Sequence, residues 1–217
     1  SPVYPKHEQE SCRTLADAMG VHLLEVTADV LANPDFVAND RERCYKCKLD
    51  LFGEFIAIVK KRGIDALLDG SNLDDLADYR PGHKALGELN VHSPLLEAEL
   101  TKNEIRQLSR AAGLPTWNKQ PFACLATRFP YGTEITAERL QQVGSCEEFL
   151  YALGLANYRV RYHDNVARLE VAPEELSRFL DPELRQKVSA HFHAAGFEFV
   201  TIDLDGYRTG SMNGPDA

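Results

Sequence analysis

The chain has 217 residues, enough to bury the core of one large domain or two small ones, and its 33 acidic against 24 basic side chains give a formal charge of −9. That balance argues against a grip on nucleic-acid phosphates, which draws on a basic face, and the one dense basic cluster (Lys60, Lys61, Arg62) falls at a predicted helix end where the macrodipole favours it. No apolar run is long enough to span a bilayer and no signal-peptide pattern opens the chain, so a cytoplasmic protein without a membrane partner is expected.

Residues 8–19 have helical spacing, and residues 21–27 (VHLLEVT), after Gly20, read as an apolar strand. Residues 47–61 carry Leu51, Phe55, Ile58 and Val59 on a helical repeat, and residues 65–69 (DALLD) read as a second buried strand. Thr101 and Glu104 match a capping box. Ile105, Leu108 and Ala112 then share a helical face before Gly113 and Pro115 stop it. Strands alternating with helices predict an α/β fold with a parallel, doubly wound sheet. Two strands do not make a stable sheet, so this one is expected to be N-terminally incomplete or completed by a partner chain. After about Pro130 the pattern changes to a helix over 136–153, a hairpin with arms 158–162 (YRVRY) and 166–171 (VARLEV), helices over 173–180 and 182–195, and a strand over 197–204. The expected organisation is an α/β domain over 1–130 and a small α+β domain over 131–217.

Three clusters could carry chemistry. Strand alternation puts Arg159, Arg161 and His163 on one hairpin face, with Arg168 and Glu170 on one face of the second arm. Arginine forks suit phosphate or carboxylate, while a solvated face with cross-strand ion pairs would look the same. The five cysteines form an odd set without a secretory signal, which argues against a disulfide framework. Cys44 and Cys47 form a CxxC at a helix start, readable as a reactive pair, half a zinc site or two ordinary thiols. Cys124 stands in a Pro-bounded and Gly-bounded loop with Arg128, and Cys12 and Cys146 lie in helical patterns as packing residues. Three thiolates could hold a 4Fe-4S cluster with one iron open, whereas structural zinc wants a fourth ligand. The third cluster, Asp69-Gly70-Ser71-Asn72, follows the carboxyl end of the second predicted strand, where open α/β sheets bind ligands and where a plain loop would also sit.

Arg43-Cys44-Tyr45-Lys46-Cys47-Lys48, Leu68-Asp69-Gly70-Ser71-Asn72, Asp78-Tyr79-Arg80-Pro81-Gly82, Trp117-Asn118-Lys119 and the Cys124–Gly132 stretch follow one another along the chain. Arg159-Val160-Arg161-Tyr162-His163, Ala167-Arg168-Leu169-Glu170 and Asp205-Gly206-Tyr207-Arg208-Thr209-Gly210 continue them. In this order, over nearly the whole length, they resemble the LarE family of PP-loop ATP-dependent sulfur transferases. The resemblance implies an adenine-nucleotide α-hydrolase-like sheet followed by a smaller substrate-binding domain that helps form homo-oligomers. It implies adenylation of the carboxylates of a pyridinium biscarboxylic acid mononucleotide with Mg-ATP, then replacement of oxygen by sulfur, toward the nickel-pincer cofactor of lactate racemase. Cys124 matches the sulfur-carrying cysteine. Some members sacrifice that sulfur and keep dehydroalanine; others add two cysteines and bind a 4Fe-4S cluster carrying a transferable sulfide that a donor must replace. With Cys44 and Cys47 present, the chain resembles the second branch, its metal ligands being Cys44, Cys47 and Cys124. By the same correspondence Arg159 and Arg161 take the substrate phosphate, Asp69, Gly70 and Ser71 lie beside the nucleotide, Arg128 lies near Cys124, and Glu147 and Glu170 lie near the active site or a bound metal.

One departure is severe. The family's Ser-Gly-Gly-x-Asp-Ser phosphate loop, which would hold pyrophosphate on backbone amides and a helix N-terminus, is not found in residues 1–217; in the family it would precede Ser1. The chain by itself is therefore expected to lack productive ATP binding. Two rival readings remain at this point: a tRNA thiolase of the same superfamily, which the acid excess disfavours, and a non-catalytic iron–sulfur or metal-binding scaffold.

Overall fold

The computed structural model of the chain describes residues 2–77, 81–208 and 210–212. Asp78, Tyr79, Arg80 and Thr209 of the stretches above lie outside them. The fold is mixed α/β, and the chain divides into two compact units, one made of Ser1–Thr14 with Gln120–Ala217, the other of Leu15–Lys119. The first helix, α1 (Lys6–Met19), contributes residues to both.

The unit Leu15–Lys119 is helical, with α2 (Pro34–Val37), α3 (Arg43–Lys61), α4 (Gly82–Glu88), α5 (Pro94–Glu97) and α6 (Lys102–Ala111). Local chemistry explains the starts. Asn33 accepts hydrogen bonds from the Asp35 and Phe36 amides while Pro34 opens α2, and Thr101 and Glu104 close the predicted capping box on α6. Helices α3 and α4 pack together at Gly82, where a Cβ would stand 2.8 Å from Cδ of Lys48. Residues 21–27 are a correction to the reading above: they form no strand, and Val21, Leu23 and Leu24 are exposed. A strand exists through its ladder, and among the described residues no strand ladder includes this segment. The second expected strand reduces to one parallel bridge between Leu68 and His92.

The other unit holds a three-stranded sheet in the order β1 (Tyr158–His163), β2 (Val166–Val171), β3 (Phe199–Ile202). Strands β1 and β2 form the expected antiparallel hairpin through Asp164-Asn165, with Asp164 in the left-handed region at φ 53°. Strand β3 pairs parallel to β2. The helix predicted over 136–153 is α7 (Ala137–Ala152), capped by Thr136 accepting from the Arg139 amide. Residues Pro173–Leu180 wind as a 3-10 helix rather than an α-helix, followed by α8 (Pro182–Ala194) behind its Asp181 cap. Helix α7 packs on β1 and α8 on β3, and Leu140, Val143, Leu150, Val160, Leu169, Val171, Phe192 and Phe197 are buried in this unit.

Candidate active site

The register of the hairpin settles which side chains meet. Arg159 lies opposite Glu170 and Arg161 opposite Arg168, so the polar faces of β1 and β2 coincide, while Tyr158, Val160 and Tyr162 face Val171, Leu169 and Ala167. This polar face is buried rather than solvated: Arg159 is 6% exposed, Arg161 5% and Glu170 0%. Arg128 and Glu147, each 0% exposed, complete a buried set of three guanidiniums and two carboxylates in this unit. Buried charges are stable only when paired and hydrogen-bonded, so the partners of each decide its function.

Arg128 ends a 3-10 turn, Leu125–Arg128, whose first residue is preceded by Cys124 at φ −44° and ψ 137°. Its Nε and Nη2 donate to the two carboxylate oxygens of Glu147 at 2.7 and 2.8 Å, a fork-to-fork pair. Its Nη1 donates to the Ala123 carbonyl at 3.1 Å and the Thr127 hydroxyl at 2.7 Å, with the Cys124 carbonyl at 3.5 Å. Thr127 donates from its amide and its hydroxyl to the same Cys124 carbonyl at 2.9 and 2.8 Å, and the Leu125 amide donates to the Val3 carbonyl at 2.9 Å. The main chain on both sides of Cys124 is thus fixed, while its thiol is half-buried.

Glu147 also accepts from the Val160 amide at 2.9 Å. Since β1 is an edge strand, this bond satisfies a donor that no ladder reaches. Glu170 takes Arg161 Nε and Nη2 at 3.0 and 2.7 Å on one oxygen, and Ser211 Oγ at 2.7 Å with Arg168 Nη1 at 3.3 Å on the other. Arg161 donates further to the Thr127 carbonyl at 3.1 Å and to Ser211 Oγ at 2.8 Å. Arg168 pairs with Asp203 and donates from Nε to His163 Nε2 at 3.2 Å. Burial, then the charges of Arg168 and Arg161, hold His163 below its ordinary range.

Arg159 differs. Its Nη1 and Nη2 donate to two main-chain carbonyls, Tyr158 at 2.6 Å and Pro121 at 2.8 Å, and no carboxylate among the described residues forms an ion pair with it. Burial lowers its proton affinity, Arg128 adds to this, and Glu147 only partly offsets it. A guanidinium starts so high that it stays charged, which leaves a desolvated cation that no carboxylate among the described residues pairs directly.

In the other unit, Cys44 and Cys47 lie in the first turns of α3, three residues apart and therefore on one helical face. Arg43 Nη2 lies 3.8 Å from the Cys44 sulfur, and Arg43 is itself buried and bonded to Asn39, a buried residue with φ 55°. Cys47 borders a cavity of about 510 Å³ with Asp29, Asn33, Phe36 and Asp50. The thiols suit iron as donors. Cys124 belongs to the first unit, and among the described residues no group of three or more His, Cys, Asp and Glu side chains is arranged to hold a metal ion. Asp69 accepts from the hydroxyls of Ser93 and Ser71, each at 2.5 Å, and from the Ser71 amide at 3.3 Å. Burial raises its pKa, but these bonds and the Lys48 charge outweigh burial and leave it below the ordinary value. Gly70 between them is exposed.

Sequence reasoning did not find Ser211, which bridges Arg161 and Glu170. For Glu147 a direct signal existed: it falls on the same stripe of α7 as Leu140, Val143 and Leu150, and a carboxylate inside an apolar stripe wants a buried partner.

The chain is 40% identical over 213 residues to an uncharacterized protein of Synechocystis sp., covering 98% of this chain and 80% of the relative. Over 213 residues it is 34% identical to the pyridinium-3,5-bisthiocarboxylic acid mononucleotide synthase of Lactiplantibacillus plantarum, covering 98% and 76% of the two chains. An uncharacterized protein of Methanocaldococcus jannaschii is 32% identical over 173 residues, 80% of this chain and 67% of the relative. No protein-family profile matches the chain. With that identity to the synthase sustained across nearly its whole length, the chain belongs to the LarE family, that of the pyridinium-3,5-bisthiocarboxylic acid mononucleotide synthases.

Proposed function

We propose that the chain is an ATP-dependent sulfur transferase of the PP-loop type. It converts adenylated carboxylates of a pyridinium biscarboxylic acid mononucleotide to thiocarboxylates, in the cytoplasm, for the nickel-pincer cofactor of lactate racemase. Kinship with a synthase named for the bisthiocarboxylic product supports the chemistry. In the geometry one observation carries it: a buried cation, Arg159, without a carboxylate partner among the described residues, whose guanidinium bonds to the Pro121 carbonyl in the Cys124 loop.

A carboxylate is a poor acyl donor because oxide would have to leave. Transfer of AMP from Mg-ATP, with loss of pyrophosphate, makes that oxygen the bridge of an acyl phosphate anhydride, so a sulfur nucleophile can add to the acyl carbon and AMP departs. Arg159 takes the phosphate of the mononucleotide by charge-assisted hydrogen bonds. Arg161 contributes positive potential, but its own donors are committed to Glu170, Thr127 and Ser211. Glu147 and Glu170 act by fixing Arg128 and Arg161, and Arg128 in turn fixes the main chain at Cys124, which presents the sulfur. Asp69, Gly70 and Ser71 lie beside the nucleotide. Residues 1–130 form the nucleotide-binding part and 131–217 the part that binds substrate and forms homo-oligomers. By the family resemblance Cys44, Cys47 and Cys124 would hold a 4Fe-4S cluster, which would supply a sulfide replaceable from an external donor.

Iron and acid-labile sulfide, measured on protein purified without oxygen, test this assignment. About four of each per chain, lost in Cys44→Ala, are expected for such a cluster. No iron or sulfide after reconstitution, together with a Cys124 that loses the mass of its sulfur on turnover, would establish the sacrificial route instead.

A further inference from the structure

Arg159 is held by more than its two hydrogen bonds. Its guanidinium carbon lies 4.8 Å from the ring centroid of Tyr207 and 5.7 Å from that of Phe122, both inside the ~6 Å reach of a cation–π contact. The rings are themselves fixed. The Tyr207 amide donates to the Val171 carbonyl at 2.7 Å, directly after Gly206, whose φ of 70° and 2.8 Å approach of the Val171 carbonyl to the Cβ position admit only glycine. Phe122 also lies 5.0 Å from the guanidinium carbon of Arg128, which Glu147 holds, and meets the His7 ring edge-on at 6.0 Å.

Carbonyl dipoles and ring quadrupoles orient and stabilise a guanidinium without neutralising it. The side chain is therefore desolvated and ordered before any ligand arrives, and its charge remains available. An anion that binds there gains a charge-assisted hydrogen bond without the entropy cost of immobilising a long side chain. We propose that Phe122 and Tyr207 form an aromatic clamp that orients Arg159 for the anionic group of the substrate, which makes both of them positioning residues. The inference rests on the role given to Arg159 above.

Inorganic phosphate is the probe, titrated into the 217-residue chain while the Arg159 Nε–H resonance is followed by nitrogen-edited NMR. Tyr207→Leu should weaken phosphate binding roughly three- to tenfold and remove the ring-current displacement of that resonance. Tyr207→Phe keeps the ring and should restore both; failure to restore them would overturn the clamp. Arg159→Gln checks the underlying role and should abolish binding. If it does so while Tyr207→Leu binds phosphate like the parent, the clamp is wrong and the role of Arg159 stands. If Arg159→Gln binds phosphate unchanged, both are wrong. A Tyr207→Leu chain that loses spectral dispersion passes the decision to Phe122→Leu, which must then weaken binding in a folded chain for the clamp to survive.

Discussion

Glu147→Gln offers the sharpest test of the buried pair beneath the Cys124 loop. The substitution keeps volume and shape but removes the charge, and its amide nitrogen turns a donor toward a position where only donors arrive: Arg128 Nε, Arg128 Nη2 and the Val160 amide. At least one of these is stranded, next to a guanidinium that is 0% exposed. Removing one partner of a buried ion pair costs about 3–5 kcal/mol, a large fraction of a domain's total of about 5–15 kcal/mol. Tryptophan fluorescence would report the wrong unit, since Trp117 lies in Leu15–Lys119. Hydrogen exchange read on peptides from α7 and β1 is the suitable assay, and it should accelerate roughly 10²- to 4 × 10³-fold in Glu147→Gln at a factor of about ten per 1.4 kcal/mol. The double replacement Arg128→Met with Glu147→Leu should recover most of the loss, because well-packed apolar groups can replace such a pair. A single variant within about 1 kcal/mol of the parent, or a double variant as unstable as the single, would refute the reasoning.

Arg159→Met should leave urea stability unchanged or raise it, since it removes a buried cation that has no carboxylate partner among the described residues, whereas Arg161→Met should cost about 3 kcal/mol by depriving buried Glu170 of a partner. Equal losses in the two would show that Arg159 is paired. His163 should titrate below its ordinary value of 6.5. Its folded form then holds fewer protons than the unfolded chain just below that value, so stability is full above it and falls as the pH drops through the depressed folded value. An NMR titration at or above 6.5, or a urea midpoint whose acid dependence is unchanged in His163→Gln, would contradict this. Gly206→Ala should cost about 1–3 kcal/mol, from the left-handed backbone and the contact with the Val171 carbonyl, and should disturb the Tyr207 ring. Thermal melting with the tyrosine near-ultraviolet dichroism measures both effects.

Where the sequence was readable, the cause was local. The hairpin's alternation and the Thr101–Glu104 box each depend on residues within a few positions, and each occurs as read. Residues 21–27 show the limit of that logic. An apolar run specifies a willingness to be buried, while a strand needs a neighbour at ladder distance, and neighbours are not encoded in a local pattern. The same holds for the site. Alternation put Arg159 and Arg161 on one face of the first arm and Arg168 with Glu170 on one face of the second, but could not say that the two faces coincide or that they are buried. Ser211, 41 residues from Glu170, and Arg128, 19 residues from Glu147, belong to pairings with no periodic signature.

The division of labour among the arginines follows from partners rather than from sequence position. Arg128, Arg161 and Arg168 each meet a carboxylate, so each serves to join segments: the Cys124 loop to α7, β1 to β2 and to Ser211, β2 to the turn at Asp203. Arg159 joins strand to loop through carbonyls alone, which a neutral donor could do with less desolvation. Burying a full charge for a task that does not require charge is unfavourable for folding, and a fold keeps such a group only where something else neutralises it. The surrounding arginines raise that cost further, since Arg128 and Arg161 both act against the Arg159 cation. What lowers it is an anion, and a ligand carrying one would therefore stabilise the β1–β2 face in proportion to its affinity.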